Sequence, residues 1–295
     1  MKKTIIAVVI IIVAVAAYFL LKSPTTQVVI ETPKTETPAT TTPEVVVDKT
    51  KTVIGQSAGG KDITAYHFGE GAEEIIFIGG IHGGYEWNTA LVAYETMDYL
   101  KANPTMVPAN VTVTVIPVMN PDGLEKVVGT TERFVASDVS KDQTVVVSGR
   151  FNANEVDLNR NFDCDWKAVG KWQNKDVSGG TSAFSEPEAI AVKNYVEAKT
   201  PSAVIVWYSA AGGVFASSCH NGVSAGTASL TKTFAQASGY KAYQDFNFYE
   251  ITGDMVNWLA KKEIPAISVL LTNHTDTEWA KNLAGIKAVL ATFAE

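Results

Sequence analysis

The chain has 295 residues, of which 46% are hydrophobic, 19% charged and 9% aromatic, and it carries a formal net charge of −7. That is enough apolar chain for one large domain with a sizeable core. The acidic balance excludes nucleic acid as an expected partner, because binding the phosphate backbone needs a basic surface.

The N-terminus reads Met1-Lys2-Lys3, then an apolar run from Ile5 to Leu21, then Lys22. A basic start followed by an apolar core marks an export signal. The run approaches the roughly 20 residues needed to cross a bilayer. Ala14-Val15-Ala16 resembles a cleavage site, but Tyr18, Phe19, Leu20 and Leu21 continue the apolar stretch beyond it. Residues 1–22 are therefore expected to be an uncleaved signal anchor, a transmembrane segment, rather than a cleaved signal peptide or a buried helix of a soluble domain. Lysines before the span put the N-terminus in the cytoplasm and the rest of the chain, membrane-anchored, on the extracytoplasmic face. Residues 23–49 are rich in Thr, Pro, Val and Glu. Such a segment cannot bury a core and reads as a disordered linker, so the folded domain is expected over 50–295.

Within that domain strands and helices alternate. Ile75 to Gly80 reads as a buried strand, followed by the turn Ile81-His82-Gly83-Gly84-Tyr85-Glu86-Trp87 and a helix with apolar residues at Ala90, Leu91, Tyr94, Met97 and Leu100. Val111 to Met119 is β-rich, and Asn120-Pro121-Asp122-Gly123 after it is a turn by composition. Region 123–185 is polar with little periodicity, which in a compact domain marks function rather than filler. A helix is expected over 186–198, a strand over 203–208, a helix over 227–238, a strand over 264–271 and a closing helix over 276–293. Such alternation predicts an α/β sandwich with a mixed, largely parallel sheet.

Two stretches carry chemistry. His82 and Glu86 place an imidazole and a carboxylate in a glycine turn at the carboxyl end of a strand, where open α/β sheets hold their ligands. Both are ligand types for catalytic zinc, which wants a third protein ligand. The stretch from Arg150 through Val156-Asp157-Leu158-Asn159-Arg160-Asn161-Phe162 brings two arginines and several amides into a segment with no helical pattern. Arginine forks suit a carboxylate or a developing oxyanion. By itself it reads more simply as a surface loop held by Asp–Arg pairs. Cys164 and Cys219 each lie close in sequence to segments assigned to the site; either they bridge or they are two buried free thiols.

In order, Gly80-Ile81-His82-Gly83…Glu86-Trp87, Asn120-Pro121-Asp122-Gly123, Val156 to Phe162, Phe184-Ser185-Glu186-Pro187-Glu188 and Tyr249-Glu250-Ile251-Thr252-Gly253 resemble the carboxypeptidase A-like family of zinc carboxypeptidases. The resemblance runs from about Lys51 to the C-terminus. It implies a twisted sheet with helices on both faces and one Zn²⁺ held by His82 and Glu86. It implies that Asn159 and Arg160 hold a peptide's terminal carboxylate, that Arg150 polarises the scissile carbonyl and stabilises the oxyanion, and that Tyr249 closes over substrate. Val256 falls where the family sets side-chain specificity, which suggests an uncharged or apolar terminal residue, although Asp254 beside it weakens that inference. The implied partner is a peptide, or the peptide stem of peptidoglycan, with a free C-terminus.

The chain departs from the family in three places. The His-x-x-Glu spacing becomes His-x-x-x-Glu, an extra residue that a glycine pair can absorb. Tyr208 occupies the position of the third ligand, normally histidine; a phenol with a pKa near ~10 must lose its proton to bind metal well. Leu270 occupies the position of the glutamate that activates water, and leucine cannot take a proton. His274, Asp276 and Glu278 are candidate substitute bases, read more simply as the loop and cap of the last helix. His220 is a candidate replacement ligand. The expected outcome is a weakened metal site and an impaired enzyme that retains its carboxylate grip. The alternatives are a non-catalytic binder of peptide C-termini and, against the retained Asn159–Arg160 pair, a deacylase of acyl-amino acids.

Overall fold

A computed structural model describes residues 50–294. The expected anchor (1–22) and linker (23–49) lie outside the described residues. Among the described residues no helix is long and apolar enough to cross a membrane.

In chain order the strands are β1 (Lys51–Gln56), β2 (Asp62–Phe68), β3 (Glu73–Ile78), β4 (Val111–Ile116), β5 (Val169–Trp172), β6 (Lys175–Ser178), β7 (Ala203–Ser209), β8 (Gly213–Ala216), β9 (Ala242–Tyr243) and β10 (Ala266–Leu271). The α-helices are α1 (Trp87–Ala102), α2 (Pro121–Val128), α3 (Gln143–Ser148), α4 (Pro187–Lys199), α5 (Ala225–Ser238), α6 (Met255–Lys261) and α7 (Trp279–Ala291). Eight strands form one sheet in the order β1-β2-β4-β3-β7-β10-β8-β9, and β5 pairs only with β6. β4, β3, β7 and β10 run parallel; β2 and β8 flank them antiparallel. The sheet is mixed with a parallel centre, as expected.

Burial explains the sequence pattern. Central strands covered on both faces need apolar residues at every position, and β7 and β10 are buried throughout. Alternate side chains then face opposite helical layers. Ile75, Phe77, Ile205 and Trp207 pack in one core with α1, α5 and α7 residues, including Ala93, Phe234 and Val289. Ile76, Ile78, Val204 and Val206 pack in the other with Ala189, Val192, Trp258 and Leu259 of α4 and α6. Tyr208 and Leu270 belong to this second core and are paired in register.

Asn120-Pro121-Asp122-Gly123 starts a helix rather than forming a turn. Asn120 Oδ1 accepts the Gly123 amide at 2.8 Å as an N-cap, and Pro121 takes the first helical position, where its missing N–H costs nothing. The Cys164–Cys219 disulfide forms, with Cα atoms 6.2 Å apart, so the reading of two free thiols is set aside.

Candidate active site

The carboxyl ends of β3, β7 and β10 lie side by side because these strands are parallel neighbours. A cavity of about 960 Å³ opens over them, and its walls include His82, Glu86, Arg150, Asn159, Arg160, Tyr208, Tyr249, Val256 and Leu270. Positions separated by up to 188 residues in sequence thus meet at one site, while His220, Asp276 and Glu278 do not line it.

His82 and Glu86 come together through a single 3₁₀ turn, Gly83–Glu86. Two glycines are required there. Gly83 has φ +45°, and a Cβ on it would sit 2.6 Å from the Gly149 carbonyl oxygen; one on Gly84 would meet Val127 at 2.3 Å. The turn thereby packs against α2 and absorbs the extra residue of the His-x-x-x-Glu spacing. His82 Nδ1 lies 3.0 Å from Glu86 Oε1, and His82 Nε2 lies 3.3 Å from Asp157 Oδ1. Neither ring nitrogen, nor Glu86 Oε2, has a hydrogen bond of acceptable geometry, although all are buried. Buried polar atoms left without partners call for an explanation, and an ion bound between them is one.

Asp157 is the second organising residue. It is fully buried and takes Arg150 Nη2 at 2.8 Å and Nε at 2.9 Å through Oδ2. Burial alone would raise its pKa, but Arg150, helped by His82 and Arg160, holds the carboxyl well below the usual range. Arg150 Nη1 is left 3.8 Å from Glu86 Oε1, and its guanidinium lies 4.5 Å from the Trp172 ring centroid. One fork is therefore anchored while the other edge faces the cavity.

Arg160 is held differently. It is buried at 1% exposure, and its Nε and Nη2 donate to the Lys171 carbonyl at 3.0 and 2.8 Å. Nη1 donates to the Asn159 carbonyl. No carboxylate comes within 4 Å of it among the described residues, in contrast to Arg150. Asp157 and Asp254 feel its charge only from beyond 4 Å, and a buried charge without a paired counter-ion is costly. Asn159 is knitted in beside it: Oδ1 accepts from Tyr208 and from the Met255 amide, and Nδ2 donates to Asp254 at 2.9 Å. Tyr249 sits half-buried with its ring centroid 6.0 Å from the Arg160 guanidinium. Burial pushes its phenol pKa up against the pull of both arginines. The polar region 123–185 supplies much of this wall, because the β5–β6 ribbon carries both Lys171 and Trp172.

Tyr208 does not fit a metal. Burial, then the nearby carboxylates of Asp254 and Glu86, raise its pKa well above the ordinary value. Its neutral hydroxyl donates to Asn159 Oδ1 at 3.2 Å. Leu270, buried beside it, offers no acceptor. His220 is largely exposed and paired with Asp165 at 3.0 Å, away from the cavity, which overturns it as a replacement ligand. Asp276 caps the loop by accepting the Glu278 amide, and Glu278 is committed to Tyr240, Thr272 and Lys281. His274, by contrast, turns into the cavity, with Nδ1 2.8 Å from Ser209 Oγ and its ring 4.8 Å from that of Tyr85. Composition places all three in a helix cap; geometry separates them. Among the described residues, the one three-donor set within 4.8 Å of itself is Cys164, Cys219 and His220, and its two thiols are joined in the disulfide.

A family model described as zinc carboxypeptidase matches residues 39–277. The chain belongs to the zinc carboxypeptidase family. It is 25% identical over 221 residues to γ-D-glutamyl-L-diamino acid endopeptidase 1 of Lysinibacillus sphaericus, covering 67% of this chain and 54% of that one, so it spans about half the length of that relative. Among solved structures, the murein-tripeptide amidase of Escherichia coli O157 is similar with a TM-score of 0.56 at 20% identity, over 81% of this chain and 91% of the other. Bovine thrombin-activatable fibrinolysis inhibitor gives 0.63 at 17% identity, over 82% and 90%. At these identities the structures establish the shared fold. The family implies zinc, and the donors can be compared with that. His82 and Glu86 fit a metal, Tyr208 does not, and among the described residues the cavity offers two such donors where a catalytic zinc takes three protein ligands.

Proposed function

We propose that this domain grips the free C-termini of peptides, the peptide stems of peptidoglycan included, and that as a carboxypeptidase it is impaired at the metal. The observation that carries the reading is Arg160, a buried guanidinium with hydrogen-bond partners but no carboxylate within 4 Å among the described residues, lining a cavity of about 960 Å³. A ligand carboxylate placed there supplies the missing counter-ion. The name of the murein-tripeptide amidase favours a cell-wall peptide, and that of the γ-D-glutamyl-L-diamino acid endopeptidase a peptide substrate, as does an extracytoplasmic location, which the lysines ahead of the N-terminal apolar run support. Val256 and Asp254 both face the cavity, so the terminal side chain meets one apolar and one acidic neighbour.

The test compares a peptide with its C-terminal amide in titration calorimetry on the full chain. Removing one member of a buried charge pair costs about 2–5 kcal/mol. Amidation is therefore expected to weaken binding by about 30-fold or more, and Arg160→Met to abolish the difference between the two peptides. Equal affinity for acid and amide in the wild type would refute the reading. The alternative of a pure binding module predicts the same binding and no turnover after the metal site is repaired.

A further inference from the structure

We propose that His274 supplies the proton-accepting group that the chain lacks at Leu270, with Ser209 and Asn88 as the residues that position it. The inference rests on the carboxypeptidase reading of the cavity.

Hydrogen-bond accounting fixes the ring. Asn88 Nδ2 donates to two carbonyls, of Asn273 at 2.8 Å and Asp276 at 3.0 Å. Its Oδ1 is therefore the atom facing Ser209 Oγ at 3.2 Å, and an amide oxygen can only accept. The single Ser209 hydroxyl proton is spent there. Ser209 Oγ can then only accept from His274 Nδ1, 2.8 Å away. His274 is thus the Nδ1–H tautomer, and Nε2 carries a lone pair with no hydrogen-bond partner among the described residues. The same accounting removes Ser209 as a nucleophile, since its proton is not donated to the imidazole. It also leaves His274 out of the metal's donors, because neither of its nitrogens forms a set within 4.8 Å with a His82 nitrogen and a Glu86 carboxylate oxygen.

Location completes the case. His274 follows β10 by three residues and lines the same cavity as Leu270, Glu86 and Arg150. It is half-buried, with its ring tilted against that of Tyr85 at 4.8 Å between centroids. Burial lowers its pKa, with Glu86 opposing and His82 and Arg150 adding to the effect, so the ring is neutral and able to accept. In the step we assign to it, a water oxygen bonds to the carbonyl carbon of the terminal peptide bond while one water proton passes to Nε2. The Arg150 edge facing the cavity meets the developing oxyanion. The imidazolium then returns the proton to the departing nitrogen as the C–N bond breaks, giving a shortened peptide acid and a free amino acid.

Two measurements on the full chain test this. In ¹⁵N-labelled wild-type protein, the His274 ring is expected to show a protonated Nδ1 and an unprotonated Nε2; the opposite tautomer overturns the proposal. For turnover, the Tyr208→His variant with added zinc is expected to release C-terminal residues from peptides while keeping Leu270. Adding His274→Ala to it is expected to lower kcat by about 10²-fold or more, the usual worth of a general base. KM should be nearly unchanged, and added imidazole should restore part of the rate. An unchanged kcat overturns the proposal. So does an inactive Tyr208→His protein whose Leu270→Glu derivative is active, an outcome that spares the carboxypeptidase reading. Inactivity of both, in folded and zinc-loaded protein, refutes that reading and this inference with it.

Discussion

Replacing Tyr208 by histidine turns a two-donor metal site into a three-donor one, and the gain can be sized. His82 Nδ1 and Glu86 Oε1 already face each other at 3.0 Å without a hydrogen bond of proper geometry. The Tyr208 hydroxyl contributes nothing, since it is neutral and donates to Asn159 at 3.2 Å. Four-ligand structural zinc sites bind with about 10–16 kcal/mol, or about 2.5–4 kcal/mol per ligand if shared evenly. At 1.4 kcal/mol per decade, Tyr208→His should tighten zinc about 10²- to 10³-fold. Competition against a chromophoric chelator at fixed pH measures this directly. Tyr208→Phe is the control: it deletes the hydroxyl and should leave zinc affinity unchanged. If Tyr208→Phe loosened zinc by a comparable factor, the phenol would be a ligand after all. Wild-type affinity equal to that of Tyr208→His would equally refute the two-donor account.

Three further outcomes are expected. Asp157→Asn leaves Arg150 buried at 2% exposure without its carboxylate, and should cost about 3–5 kcal/mol of stability in urea unfolding. Because the folded Asp157 pKa lies below its unfolded value, the stability it contributes is complete above about pH 4 and lost as the pH falls through the folded pKa; Asp157→Asn should therefore flatten the acid limb of the stability–pH curve. Val256→Asp puts a second acid on the cavity wall and should shift binding toward peptides ending in Lys or Arg by at least about tenfold, measured against Leu-ended peptides. Replacing both Cys164 and Cys219 by serine opens a loop of sequence separation 55, for which chain entropy predicts a loss of about 4 kcal/mol; a loss under about 1 kcal/mol would contradict that estimate.

The parts of the fold that could be read from sequence are those where burial is complete. β7 and β10 are apolar at nearly every position because both faces are covered, so they stand out as runs. The β1 and β2 hairpin and the two-residue β9 lie at the sheet's edges, partly exposed, and β8, though buried, is only four residues long, so no pattern marks them. Asn120-Pro121-Asp122-Gly123 misled because the residues that favour turns are also those that cap helices; whether apolar spacing continues through Leu124, Val127 and Val128 decides between them. In the site, residues carried by local motifs were visible one by one. Asp157 was visible only as a letter within a motif, since its work is to hold Arg150 and His82 from inside the protein. The Asn88–Ser209–His274 chain was invisible, because its contacts join residues 121 and 65 apart in sequence and its histidine sits in a stretch that reads as a helix cap.

The two halves of the cavity differ in what they cost the folded state. A buried guanidinium without a counter-ion is unfavourable, yet Arg160 is kept, anchored on three carbonyl hydrogen bonds and opening on the cavity. At Tyr208 and Leu270, where the family resemblance implies an imidazole and a carboxylate, stand a neutral phenol with a satisfied hydroxyl and a hydrocarbon, both packed into the second core. The departures from the family pattern thus relieve unfavourable burial where the chemistry of hydrolysis would sit and leave it in place where a carboxylate would be held. Stability alone would favour losing Arg160 as readily as the third ligand. That it remains, oriented and with no carboxylate within 4 Å among the described residues, supports the proposal that this cavity recognises a C-terminal carboxylate.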